Sequence, residues 1–271
     1  LSVNGPEIWA GSHGGLDAAA HKYTRGALAV FSGGPAQTGA ARLSAEAGLR
    51  AGAGLVTVAS PGNAMAANAA HLTAVMLKRI DDVEALSGWI EDTRLGAFVL
   101  GPGFGIGEKT RDFALALSGR RLVLDADGIT SFKDDPQPLF DAFRPGETRL
   151  VLTPHAGEFS RLFPDIAALK AKSKVDMAVC AARRANGVVI YKGSDTVIAS
   201  PDGRAAINTE APPSLATAGS GDVLAGICGA LLAQGYPAYE AACAAVWHHG
   251  EAARRVGAGL TAEALAAAVR T

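Results

Sequence analysis

Short apolar runs recur along the chain, and most are followed by a small-residue turn and a helical pattern. Strand-like runs occupy residues 27–31, 55–59, 97–100, 122–124, 149–152 and 188–191. Helical patterns at 39–51, 63–70, 108–117 and 158–163 fall between them. Strands that alternate with helices predict βαβ units and a mostly parallel sheet covered on both faces. The rhythm changes after residue 195. Residues 196–200 and 204–208 flank Pro201-Asp202-Gly203 and predict a β-hairpin closed by an Asp-Gly turn. Two long Ala-rich helices are expected at 221–234 and 238–256, with a short one at 261–269 capped by Thr261. The fold class is α/β.

Composition supports one well-packed domain. The chain has 271 residues, with 49 % apolar and 19 % charged, enough for a large buried core. Its 6 % aromatic content and abundant Ala and Gly favour helices packed closely on the sheet. A net charge of −1 gives no general attraction to nucleic acid or to anionic membranes. The longest strongly apolar stretch, 223–233, is too short to span a bilayer, and no signal peptide is read. Cys180, Cys228 and Cys243 form no CxxC pair, so buried free thiols and a reducing cytoplasm are expected. The opening Leu1-Ser2-Val3-Asn4-Gly5-Pro6 reads as a linker. The expected division is a linker or extension over 1–20 and one domain over 21–271, separated from a longer polypeptide.

In open α/β sheets ligands bind beyond the carboxyl ends of the strands, and the chemistry-bearing turns fall there. The most telling is Thr217-Ala218-Gly219-Ser220-Gly221-Asp222, followed at once by a helical run. Free N–H groups and the positive end of a helix dipole meet at such a point and suit phosphate. Asp222 at its edge is either a helix cap or a base for a hydroxyl. Gly101-Pro102-Gly103-Phe104-Gly105 lets backbone approach a ligand, and its Pro argues against a dinucleotide fingerprint. Asp125 and Asp127, two apart at a strand end, share a face and could hold Mg²⁺ through water or orient a substrate; alternatively one caps the next segment. His155 follows Pro154 on the same rim, with Glu158 placed for a capping box. Lys192-Gly193-Ser194-Asp195-Thr196 could hold a nucleotide by charge and backbone N–H groups. His248 and His249 lack zinc-ligand spacing and read as structural. No metal ligand is assigned.

Taken in order, these segments resemble the ADP/ATP-dependent NAD(P)H-hydrate dehydratases of the ribokinase-like superfamily. The likeness runs from His21-Lys22-Tyr23-Thr24-Arg25-Gly26 through Thr38-Gly39-Ala40-Ala41-Arg42-Leu43 and 50–59. It continues through Gly101–Gly105, Leu124-Asp125-Ala126-Asp127 and Thr153-Pro154-His155-Ala156-Gly157-Glu158-Phe159 to Lys192–Thr196 and 219–226. The resemblance implies a ribokinase-like fold and ADP-dependent dehydration of the (S)-epimer of hydrated NADH or NADPH, releasing AMP and phosphate. ATP is the other possible donor, and Mg²⁺ accompanies the nucleotide. It implies Asp222 as catalytic base, and Lys192, Gly193, Ser194, Asp195, Thr196, Gly219, Ser220 and Gly221 at the nucleotide. It places Ala40 or Ala41, Gly103, Asp125, His155 and Asp222 at the hydrate. It also implies a cytoplasmic homo-oligomer, a tetramer, with an N-terminal epimerase domain in the full-length protein. The alternative is a kinase of the same fold acting on a vitamin alcohol such as hydroxyethylthiazole. Two departures stand out: Ala218 where the family usually has Gly, and Thr209-Glu210-Ala211-Pro212-Pro213 near the site.

Overall fold

A computed structural model describes residues 1–12, 25–144, 146–169, 172–209 and 211–271. The expected domain boundary at 20/21, residues 21–24 of the first family segment, and Glu210 lie outside the described residues.

The strands are β1 (Ser2–Val3), β2 (Ala27–Phe31), β3 (Leu55–Ser60), β4 (Met76–Arg79), β5 (Leu95–Leu100), β6 (Arg121–Leu124), β7 (Leu150–Leu152), β8 (Val188–Tyr191), β9 (Thr196–Ala199) and β10 (Ala205–Asn208). They form one sheet in the order β1-β10-β9-β8-β7-β6-β5-β2-β3-β4. Strands β2 to β8 run parallel; β9 is antiparallel to both β8 and β10, giving the expected hairpin. From β2 the chain goes to β3 and β4 on one side, then returns to β5 on the other. Such a switch point opens a crevice beyond the carboxyl ends of its two strands, here β2 and β5.

Alternation along each strand divides the core into two layers. Leu28, Val30, Val56, Val58, Val99 and Val123 face one way and meet the helices Thr38–Arg50, Ser220–Ala233 and Ala238–Val256. Phe31, Phe98, Leu100, Leu122 and Leu124 face the other way, against a Phe-rich layer that includes Phe113, Phe140 and Phe159. The first layer is built from small residues because its helices sit very close. A Cβ on Gly226 would lie 2.1 Å from the Ser44 carbonyl oxygen, so only Gly lets helix Ser220–Ala233 lie against helix Thr38–Arg50. The helix carrying the 219–222 loop is thus fixed in depth by backbone contact. No helix among the described residues is long and apolar enough to cross a membrane.

Elements without a local apolar signature escaped the sequence reading. Strand β4 is an exposed sheet edge, and β1 exists only through its parallel pairing with β10, some two hundred residues away in sequence. The opening residues are not a free spacer. Asn4 Nδ2 donates to Asn208 Oδ1 (3.1 Å) and to the Cys243 carbonyl (3.0 Å), and Trp9 packs on Trp247. Helix Lys174–Ala185 opens on a Ser173/Asp176 capping box, a local signal the sequence carries. Cys228 and Cys243 are buried free thiols as expected, while Cys180 is half-buried.

Candidate active site

The crevice between β2 and β5 is lined by backbone. A Cβ on Gly33, just past β2, would fall 1.8 Å from the Gly103 carbonyl oxygen, so the two turns touch. A Cβ on Gly103 would lie 3.6 Å from the Ala40 methyl. Of the two alanines expected at the substrate, Ala40 is partly open, whereas Ala41 is fully buried in the helix–sheet core. One step along a helix turns a side chain by about 100°, which is why only Ala40 opens to the crevice.

The 219–222 loop stands where the sequence reading put it. Gly219 is the N-cap of helix Ser220–Ala233, in the left-handed region at φ 86°. The Ser220 N–H turns back to the Thr217 carbonyl (3.3 Å). The N–H groups of Gly219, Gly221 and Asp222 have no acceptor among the described residues. The free donors are therefore these three, and Ser220 drops out of the expected backbone set. Ala218 carries no penalty: it is exposed, and its φ is not positive, so no glycine is required there. The Ser44 hydroxyl donates to the Asp222 carbonyl at 2.7 Å and ties the loop to helix Thr38–Arg50.

Asp222 is not a cap. Gly219 holds the cap position, and the Asp222 carboxylate has no hydrogen-bond partner among the described residues. Burial, then repulsion from Asp125 and Asp127, pushes its pKa from 3.8 up to about 6, with Lys192 pulling the other way. A carboxylate in that range takes up and releases a proton near neutrality, as a general base must.

Beside it lies a buried ion pair. Lys192 Nζ donates to Asp125 Oδ1 at 2.9 Å, and Glu158 Oε2 stands 4.0 Å away. Burial works against the Lys192 charge, but Asp125, Glu158 and Asp222 outweigh it and hold its pKa above the ordinary value. Lys192 therefore serves as a fixed positive charge inside the site. Asp125 is 2 % exposed; its Oδ1 accepts from Lys192, while its Oδ2 has no hydrogen-bond partner among the described residues and lies on the Gly221 side of the site. Asp127 does not share its face: β6 ends at Leu124, Ala126 turns at φ 49°, and Asp127 Oδ2 accepts from the Gly105 N–H (3.0 Å).

His155 and Glu158 form the expected capping box. His155 Nδ1 accepts from the Gly157 and Glu158 N–H groups, and Glu158 Oε2 accepts from the His155 N–H (2.9 Å). The ring is half-exposed on the rim, with Nδ1 committed to backbone. In the 192–196 turn, Thr196 Oγ1 bonds Gly193 at both its carbonyl (2.8 Å) and its N–H (3.2 Å). Gly193, Ser194 and Asp195 are exposed, and Lys174 Nζ neutralises Asp195 at 2.6 Å. Ser44 and Lys174 were not foreseen, because each acts on residues distant in sequence.

A family model described as NAD(P)H-hydrate dehydratase matches residues 28–269. The chain belongs to the NAD(P)H-hydrate dehydratase family. It is 35 % identical over 265 residues to the ADP-dependent (S)-NAD(P)H-hydrate dehydratase of Neisseria meningitidis, covering 92 % of this chain and 86 % of that one. It is 39 % identical over 261 residues to the bifunctional NAD(P)H-hydrate repair enzyme of Gloeobacter violaceus, covering 92 % of this chain and 50 % of that one. The chain thus spans about half the length of the bifunctional relatives it matches. Among solved structures, the ADP/ATP-dependent NAD(P)H-hydrate dehydratase of Bacillus subtilis, co-crystallised with ATP and Mg²⁺, superposes with a TM-score of 0.81 at 25 % identity. That match covers 99 % of this chain and 96 % of that one. A ribokinase-like protein of Enterococcus faecalis gives a TM-score of 0.83 at 22 % identity, covering 98 % of this chain and 93 % of that one, and shows the shared fold.

Proposed function

We propose that this chain removes water from hydrated NADH and NADPH at the expense of a nucleotide phosphoryl group, restoring the reduced cofactor. The proposed substrate is the (S)-epimer, and the proposed donor is ADP, with AMP and phosphate as products. The observation that carries the reading is Asp222: an unpaired carboxylate with its pKa raised to about 6, beside three unpartnered N–H groups at a helix N-terminus.

Hydroxide is a poor leaving group and phosphate a better one. Asp222 takes the proton of the C6 hydroxyl as its oxygen attacks the terminal phosphorus of the nucleotide. The N–H groups of Gly219, Gly221 and Asp222 hold the oxygens of the transferring group where charge develops. Lys192 contributes positive charge from below. The C6–O bond then breaks as the ring nitrogen supplies the electron pair, and phosphate leaves with the former hydroxyl oxygen. Loss of the C5 proton to a base or water forms the C5=C6 double bond and returns the electron pair to nitrogen. Gly103, Ala40, Asp125 and the rim edge of His155 are proposed to bound the hydrate. The turn from Gly193 to Thr196 is proposed to receive the rest of the nucleotide.

No group of three or more His, Cys, Asp or Glu side chains suited to a metal stands among the described residues. Asp125 and Asp127 are engaged with Lys192 and the Gly105 N–H. The donor set fits Mg²⁺ carried on the nucleotide phosphates with waters completing its shell. There it would neutralise charge on the transferring group.

We further propose a cytoplasmic homo-tetramer, on the family resemblance and the free thiols. An N-terminal epimerase domain is proposed for the intact protein, on the half-length match to the bifunctional relatives. The dehydratase domain is proposed to cover 21–271, with residues 1–12 joined to its sheet. The test is to mix the protein with Mg²⁺ and chemically prepared NADH hydrate and to follow the return of reduced-nicotinamide absorbance. ADP-dependent recovery with AMP released is the expected result. Recovery with ATP alone changes the donor, and a stable phosphate ester would make the protein a small-molecule kinase.

A further inference from the structure

We infer that His249 is a positioning residue for the anion loop, holding the Ser220–Gly221 peptide so that the Gly221 N–H points at the transferring phosphoryl group. This rests on the functional reading above only for the identity of the anion.

His249 lies on helix Ala238–Val256, is 7 % exposed, and reaches the 219–222 loop from behind. Its Nε2 is 2.9 Å from the Ser220 carbonyl oxygen and 3.1 Å from Ser220 Oγ. A carbonyl can only accept, so the carbonyl assigns the ring proton to Nε2, with Ser220 Oγ as a second acceptor. The ring is neutral. Burial first, with the Lys192 charge adding to it, pushes the pKa down to about 4 against the opposing bond to Ser220. A buried ring that stays neutral at physiological pH takes no part as acid or base, and its remaining asset is a directed N–H.

That N–H acts at the place where direction matters. The peptide unit is planar and trans, so the Ser220 carbonyl and the Gly221 N–H point in opposite directions. Fixing the carbonyl from behind fixes the N–H in front. Gly221 is one of the three N–H groups without an acceptor. First turns of helices fray, and Gly221 has no side chain to restrain its own backbone. The loop is also held by Ser44 Oγ on the Asp222 carbonyl, two peptides further on (2.7 Å). The two contacts bracket the Gly221–Asp222 peptide, one from each neighbouring helix. Serine at 220 thereby has a use the sequence reading did not give it, as acceptor of the histidine N–H through both its oxygens.

The test compares His249→Leu, which fills the space without a donor, with His249→Gln, whose amide nitrogen can replace Nε2. Hydrogen–deuterium exchange of peptides spanning 217–224 reads the loop with no activity required. Equilibrium ADP binding and steady-state kinetics read its consequence. Expected for His249→Leu are faster exchange in this segment, weaker ADP binding, and a fall in kcat of about 10- to 100-fold. His249→Gln should restore most of each. Leu with native exchange and native ADP affinity would overturn the inference, as would Leu and Gln behaving alike. If loop exchange responds to residue 249 while the native protein turns over no hydrate, the positioning role stands and the dehydratase reading falls.

Discussion

The two ends of the central sheet are both polar, yet only one is chemically unfinished. At the amino ends of β6, β7 and β8 lies a cavity of about 220 Å³ lined by Arg121, Glu147, Asp202, Arg204, Tyr239 and Glu240 among others. Its charges are closed on one another: Arg204 pairs with Asp202 (2.8 Å) and Glu240 (2.6 Å), and Arg121 with Glu147 (3.6 Å). At the carboxyl ends, Asp222 has no counter-ion in hydrogen-bonding contact, and three N–H groups lack acceptors. Charges at the first end are met by opposite charges, although Glu240 Oε2 is buried there without a hydrogen-bond partner among the described residues. At the second, the proposed site, Asp222 and the three N–H groups have no partner among the described residues. Unmet electrostatic demand, rather than polarity or cavity size, separates a working site from a polar surface.

Four substitutions break or sharpen that contrast. Asp222→Asn removes the base while keeping shape and should lower kcat by about 10²- to 10⁴-fold, with ADP still bound; steady-state kinetics and equilibrium binding check it. Lys192→Met leaves Asp125 buried without a partner and should cost about 3–5 kcal/mol of stability, read by denaturant unfolding. The third concerns pH. Asp222 must be ionised to act, and its pKa is raised to about 6, so kcat/KM should climb as pH rises through that value. Asp125→Asn removes a like charge, and the rising limb should move to lower pH. Last, Arg204→Ala at the opposite end should leave turnover unchanged and cost about 1–3 kcal/mol, because it strips Glu240, which is only 12 % exposed, of its counter-ion.

The parts legible in the sequence were those with a local signature. Runs such as Ala27–Phe31 and Val188–Tyr191 are apolar throughout because both their faces are covered, and their limits were read correctly. The anion loop was legible only together with the other strand-end turns, because a small-residue turn before a helix often binds nothing by itself. Pairings across the chain were not legible. Lys192 reads as a nucleotide-turn lysine until the fold brings Asp125, 67 positions away, to within 2.9 Å. His249 reads as a core histidine until its ring is seen behind Ser220. Asp125 and Asp127 read as one face because strand alternation was carried past Leu124, where the strand ends.

The most direct measurement follows an oxygen atom. NADH hydrate carrying ¹⁸O in its C6 hydroxyl is turned over with ADP, and the released phosphate is analysed by mass spectrometry. If the substrate hydroxyl attacks the nucleotide and departs with the phosphoryl group, the label appears in inorganic phosphate. Label found in water, with unlabelled phosphate, would mean that the hydroxyl leaves without phosphorylation, and the assignment of Asp222 and the anion loop to phosphoryl transfer would be wrong.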